Sequence, residues 1–397
     1  MAQLRRTLSL SAMVFYGLGT IIGAGIYVLI GEIAGQAGAW TPLSFVVAAL
    51  IASFTGLSYA ELVSRFPRSA GEAVYVEHAF NQVWLTQLVG WSVILTGLVS
   101  AATLLKGFSG YFIDLFGYTE LTVISFSVLF ICLLACSGVK QSVGLAVMIT
   151  LLEIAGLILV VIASTNALSS EARWQNWYAD LEYFSFSGIS AAAFLAFYAF
   201  IGFEDMVNMA EEVKDPSTNL PKAIIIALIA STLIYFIIAT VAVVSVPTTL
   251  LASSSAPLTV ITQQSSWFPS VLISLISLIA ILNGAIVQLL MAPRVIYGIT
   301  KNSIHLRFLS SINKHTQTPV IATITTSILV LIFTLLLPLS TLAQLTSGII
   351  LVLFILINLA LLSIKLKQDY DGFKVKIWVP IVGIITSGLL LLTSLFI

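Results

Sequence analysis

The chain has 397 residues, 59% of them hydrophobic and 9% charged, with a mean hydropathy of +1.08. A soluble domain is about 45–50% apolar and about 25% charged, so there is too little polar surface here to cover a water-soluble fold, and a polytopic all-α membrane protein is left. Lys and Arg (17) balance Asp and Glu (17), which argues for neither a nucleic-acid partner nor a polybasic anchor. Two Cys and three His offer neither a disulfide framework nor a metal centre, and no cofactor motif is present.

A helix needs about 20 apolar residues to cross the hydrocarbon core. That length gives eleven candidate spans, near 10–36, 41–64, 84–112, 120–137, 143–164, 187–210, 222–246, 268–299, 319–337, 340–364 and 376–397. The N-terminus lacks a small-residue cleavage site after a short apolar run, so the first reads as a retained span rather than a signal peptide. It carries Gly17, Gly19, Gly23 and Gly25. Gly23 and Gly25 fall about 13–15 residues in, near the midplane by helix rise. Two readings fit them. In one, the helix breaks at 23–25 and exposes the amides of Ala24 and Gly25, a seat for a carboxylate. In the other, Gly19/Gly23 or Gly31/Gly35 is a small-residue packing face.

At the inner end of the second span, Glu61, Arg65, Arg68 and Glu72 are expected to form one charged network. Lys106 in the third is expected to snorkel to the outer surface, and Cys132 and Cys136 in the fourth to be small core residues. Glu153 lies about eleven residues into the fifth span, roughly 16 Å deep, where charge is expensive and usually functional. It suits a proton carrier, a sodium ligand or a structural hydrogen bond. The outer segment 165–186 carries Trp174, Trp177 and Tyr178, suited to the interface. The segment 247–267 is uncharged and fits a lid or a plain loop.

The sixth span runs from an aromatic stretch, Phe194 to Phe200, through Ile201 and Gly202 into Glu204 and Asp205. A break here would expose the carbonyls of 198–201 to an ammonium group, with the acids capping the next half-helix. Alternatively the span is shorter and both acids lie in water. Asn283 in the eighth span either bridges helices or touches a pathway. With the N-terminus inside, fifteen of the 17 basic residues fall on inner loops, leaving Lys106 and Arg173 outside. Breaks in the first and sixth spans are what an inverted five-plus-five repeat predicts.

These residues resemble the amino acid–polyamine–organocation (APC) transporters. The similarity lies in Gly19-Thr-Ile-Ile-Gly-Ala-Gly-Ile-Tyr27, Ser58 to Pro67 with Ser69 to Glu72, Ile201 to Glu204 with Ala210 to Ala223, and Arg294 to Gly298 with Thr318-Pro319. It runs in order over about residues 8–365. It implies a leucine-transporter-type fold: a single transmembrane domain over 1–397, with repeat one at 8–165, repeat two at 186–365 and an extra helix at 376–397. Many members have twelve helices, against eleven expected here. The resemblance also implies a substrate carboxylate on the N–H groups of Ala24 and Gly25, beside Gly23. The amino group would lie on the carbonyls of Ile21, Tyr198 and Ile201 beside Gly202, with Tyr198 or Phe200 as a gate and Gln288 facing the pocket.

On the third helix, Thr96 stands where cationic transporters of the family carry an acid, so a neutral substrate is expected. Glu153 takes the place of a coupling lysine, and Glu153 and Glu204 are the candidate ion-coupling groups. The expected function is secondary transport of an amino acid across the cytoplasmic membrane, coupled to protons or sodium. An amino acid or polyamine exchanger and a non-transporting sensor are the alternatives. An enzyme is not expected. The substrate, the ion and the lipid bilayer are the partners, with protein partners unassigned.

Overall fold

The computed structural model describes residues 6–68, 71–137, 143–300, 306–313 and 316–394. Ser69, Ala70 and Ile397, within ranges given above, and Arg5, Lys140, Lys301, Lys314, His305 and His315, among the basic residues and histidines counted above, lie outside the described residues. In chain order the α-helices are α1 Leu10–Ala37, α2 Thr41–Arg65, α3 Gly71–Phe80, α4 Val83–Phe116, α5 Glu120–Cys136, α6 Val143–Ala163, α7 Thr165–Leu168, α8 Glu171–Asp180, α9 Phe186–Tyr198, α10 Pro216–Ser245, α11 Thr248–Ser253, α12 Pro257–Gln263, α13 Val271–Thr300, α14 Val320–Leu336, α15 Leu339–Lys367 and α16 Trp378–Ser394. The protein is all-α and polytopic. Among the described residues, seven helical stretches are long and apolar enough to cross a membrane. The apolar helices α5, α14 and α16 have 17 residues each, a rise of about 26 Å against a core about 30 Å thick.

α1 runs through the middle of the bundle, with Met13, Ile22, Ile26, Tyr27, Leu29, Ile30 and Ile33 fully buried. Its glycines let neighbours come close: Gly31 lies on the Leu251 carbonyl and Gly35 on Ala252, both of α11. The packing reading of these glycines therefore holds, and the expected break at 23–25 is corrected: α1 is continuous helix from Leu10 to Ala37. The energetics explain why. A glycine costs a helix about 1 kcal/mol relative to alanine, whereas an unpaired amide in hydrocarbon costs several.

The segment 247–267 is no plain loop. It folds into α11 and α12 over the C-terminal parts of α1 and α4. There Tyr111 donates to the Tyr27 carbonyl at 2.8 Å and accepts the Leu258 N–H at 3.3 Å. Lys106 does not merely snorkel, since its Nζ pairs with Glu120 at 2.7 Å, tying α4 to α5.

The expected inner network divides. Glu61, fully buried, accepts from Arg65 (Nη2, 2.6 Å), from Lys365 of α15 (2.7 and 2.9 Å) and from the Val375 N–H (2.8 Å). Glu72 is not part of this hub and accepts from the Tyr59 hydroxyl instead. Replacing Glu61 by alanine would leave two buried cations facing one another without their carboxylate, a loss of about 3–5 kcal/mol. Thermal unfolding of purified Glu61→Ala should show a large drop in midpoint, and an unchanged midpoint would show that the hub carries no stability.

Candidate functional site

The sixth apolar stretch breaks. α9 ends at Tyr198, the amides of Ala199, Phe200 and Ile201 reach back only three residues, to Ala196, Phe197 and Tyr198 (3.0–3.1 Å), and a 3-10 segment resumes at Phe203–Met209. Gly202 sits at φ +128°, conformational territory essentially confined to glycine, with the Thr20 carbonyl so near that a Cβ has no room. Its N–H donates to Glu204 Oε2 at 2.8 Å, so Glu204 caps the break from within the protein. The reading that put both acids in water is thus not what the fold shows: Glu204 is buried.

Opposite the break stands the glycine face of α1. Gly25 lies directly on Ala199, again with no space for a Cβ. Tyr235 of α10 seals this contact: its hydroxyl lies 2.6 Å from the Ile21 carbonyl and 2.8 Å from the Ala199 carbonyl, the latter freed by the break. Where the two chains part, a cavity opens between α1, α4, α6, the break and α13.

Of the expected site residues, Ile21, Gly23, Gly25, Tyr198, Ile201 and Gln288 line this cavity together, as does Asn283. Tyr198 is held there by a 3.0 Å hydrogen bond between its hydroxyl and Ser100 Oγ. Ala24 lies in the same turn of α1, but in the continuous helix its amide belongs to the backbone ladder, so the free N–H pair expected at Ala24 and Gly25 is absent in this form. Of the two aromatics expected at a gate, Tyr198 lines the cavity, while Phe200 is buried behind the break, edge-on to Tyr235 at 5.1 Å. Thr96 does not line the cavity; its hydroxyl donates to its own helix, at the Ser92 carbonyl. The residue that does is Ser100, one turn on.

Glu153 stands behind the cavity wall. It is fully buried, 3.2 Å from where a Cβ on Gly23 would lie, and neither carboxyl oxygen has a hydrogen-bond partner, so the bridging hydrogen bond considered for its side chain is not made. Only its backbone carbonyl is engaged, by the Tyr27 hydroxyl at 2.6 Å. The sequence reading passed over Ser100, Thr150 and Asp205 as lining residues. Asp205 had a signal, an acid beside a mid-span glycine, but was taken as a cap alongside Glu204. The surroundings are hydroxyls, amides, bare main chain and one carboxylate, which suits a small zwitterion with a polar head and an apolar body.

The family described as amino acid permease matches residues 6–397. The chain is 28% identical over 387 residues to "Cationic amino acid transporter 3, mitochondrial" of Arabidopsis thaliana, covering 91% of this chain and 63% of that protein. It is 29% identical over 392 residues to the "Branched-chain amino acid permease BcaP" of Bacillus subtilis, with 92% and 82% covered. With "Cationic amino acid transporter 4" of Homo sapiens the identity is 29% over 368 residues, with 87% and 57% covered. The chain spans only 57–63% of the length of the cationic relatives it matches.

Tyr235→Phe keeps the ring packing and deletes the hydroxyl, leaving the Ala199 carbonyl buried and unbonded. The expected cost is about 1–3 kcal/mol, read as a lowered unfolding midpoint in detergent. A midpoint equal to the wild type would mean that the hydroxyl does not hold α1 to the break.

Proposed function

The chain belongs to the amino acid permease family, and we propose that it is a secondary transporter that carries an amino acid across a membrane by alternating access. The observation that carries this reading is the main-chain break at 199–202, pressed on the glycine face of α1 and opening onto a cavity walled by five elements. Irregular backbone at membrane depth is tolerated only where it lines such a space. The architecture we propose is eleven spans, 8–165 and 186–365 as inverted repeats and 376–397 as the extra helix, with the N-terminus cytoplasmic. Helices at all the expected positions and the basic-residue asymmetry support it.

In this proposal the closed α1 is one state of the cycle. A substrate carboxylate replaces the lost helix bonds when α1 opens at Gly23–Gly25, so the unpaired amides of Ala24 and Gly25 exist only when a ligand occupies them. The ammonium group lies by the carbonyls of Ile21, Tyr198 and Ile201. Coupling falls to Glu153. Buried with no partner on either oxygen, it would cost several kcal/mol as a bare carboxylate, so its charge calls for a small cation, which in this proposal is a proton.

Thr96 no longer supports a neutral substrate, because it does not reach the cavity. The name of the branched-chain relative fits a neutral side chain. Asp205, the one acidic or basic residue among the described lining residues, favours a second reading, a substrate with an extra positive charge, as the names of the cationic relatives suggest.

Proteoliposomes given radiolabelled leucine and arginine separate these readings. Accumulation under an inward proton gradient supports a coupled transporter, uptake only against preloaded substrate an exchanger, and binding without uptake a sensor. Glu153→Gln is isosteric and breaks no hydrogen bond, so it should fold and bind normally. Its accumulation should drop on the order of tenfold and lose its pH dependence; an unchanged pH profile would remove Glu153 from the coupling.

A further inference from the structure

A second acidic path begins where α3 docks on the broken sixth segment. The Gly71 N–H donates to Asn208 Oδ1 at 3.3 Å, and Tyr59 of α2 meets Phe203 edge-on at 5.6 Å. This places Glu72, 6% exposed, under the Tyr59 hydroxyl, which donates to its Oε1 at 3.3 Å. Asp205 and Glu204 are close enough to act on it electrostatically. Asp205 lines the cavity, so the three acids lead from the cavity to the inner ends of α2 and α3. None of them is joined by an ion pair to Lys, Arg or His among the described residues. Independently of the acids, the Tyr75 hydroxyl, fully buried and against Gly71, has no hydrogen-bond partner. It is a polar atom beside Glu72 that the protein leaves for water to satisfy.

The buried Glu72 and Glu204 share one patch with the half-buried Asp205, without a counter-charge; carboxylates so placed cannot all ionise, so the patch retains protons at neutral pH. We propose that Glu72 is a proton-carrying station of the cycle, passing a proton between Asp205 at the cavity and water at the inner ends of α2 and α3. This rests on the transporter reading. In the transfer the O–H bond of Glu72 breaks, a bond forms on an intervening water, and that water gives a proton to the Asp205 carboxylate, leaving the total charge of the pair unchanged. Glu153, on α6 behind Gly23, is a different group reached from the other side of α1.

The groups facing Glu72 are Tyr59 from α2, Tyr75 from its own helix, and Glu204 and Asp205 from the 3-10 segment. Tyr16 of α1 lies near Asp205. From α15, Lys367 is spent on the Ala79 carbonyl at the far end of α3 (2.9 Å), and α4 has no ionisable residue before Lys106. Burial pushes the Glu72 carboxyl up to about 7. The Asp205 charge adds to this, while a bond to its own backbone N–H and the Tyr59 hydrogen bond pull it back. Because the fold binds this proton more tightly than the unfolded chain does, the stabilising contribution is complete below the ordinary carboxylate range and is lost as pH rises through about 7.

Infrared difference titration of the purified full chain reads the protonated carboxyl stretch directly. A band titrating near pH 7 should vanish in Glu72→Gln, shift in Glu72→Asp, and move to lower pH in Asp205→Asn, where like-charge repulsion is gone. In proteoliposomes, Glu72→Gln should retain substrate exchange and lose most net, proton-linked accumulation of labelled leucine or arginine, with partial return in Glu72→Asp. The proposal is overturned if Glu72→Gln leaves the band in place, or keeps wild-type net accumulation and pH profile. Wild-type protein that shows the band but moves neither probe would instead overturn the transporter reading on which the proposal rests.

Discussion

Hydrocarbon supplies no hydrogen-bond partners, so every main-chain amide and carbonyl at that depth must be satisfied by the protein itself. The molecule is organised around a lapse in that rule, at 199–202. The lapse is bearable because three groups converge on it: Glu204 takes the Gly202 N–H, Tyr235 takes the Ala199 carbonyl, and the glycines of α1 bring the two backbones into contact. Remove Glu204 or Tyr235 and an orphaned polar group remains in an apolar interior; put a side chain on Gly25 and it collides with Ala199. The cavity is a by-product of the same geometry, since chains that touch at Gly25 and Ala199 diverge on either side.

From this contact follows the division of the bundle. The C-terminal ends of α2 and α15 are locked together by the Glu61 hub, and the C-terminal part of α1 is pinned by α11, α12 and the Tyr111–Tyr27 hydrogen bond. Between these two fixed regions lie Gly23, Gly25 and the break, where the chain offers least resistance to bending. Glu153 lies against Gly23 without any partner, and Asp205 lines the cavity beside the break.

Much of this was legible from residue order alone. Helix positions follow from apolar run lengths, and the break at Gly202 was marked by a glycine between an aromatic run and two acids. The break expected at Gly23–Gly25 was not found, because glycine lowers the cost of unwinding without forcing it. Whether a helix opens there depends on a competing partner for the amides, and that is a property of a ligand rather than of the chain. Thr96 in place of Ser100 is an error of one helical turn: similarity to a family locates the helix, while its position along its own axis is set by packing against α13 and the break. Tyr235 left no trace, since its partners Ile21 and Ala199 are main-chain carbonyls, which any residue provides. The depth of Glu153 could be counted from helix rise, but its isolation could be seen only once every neighbour was placed.

The account stands or falls on whether the space beside the break admits water and a small solute. Val287 on α13 lines that space and takes no part in the hydrogen bonding described above. With Cys132 and Cys136 replaced by alanine, Val287→Cys in the folded protein should react with a small hydrophilic thiol reagent, and at least one of the twenty amino acids should slow that reaction. A cysteine there that stays unreactive until the protein is unfolded would contradict the account.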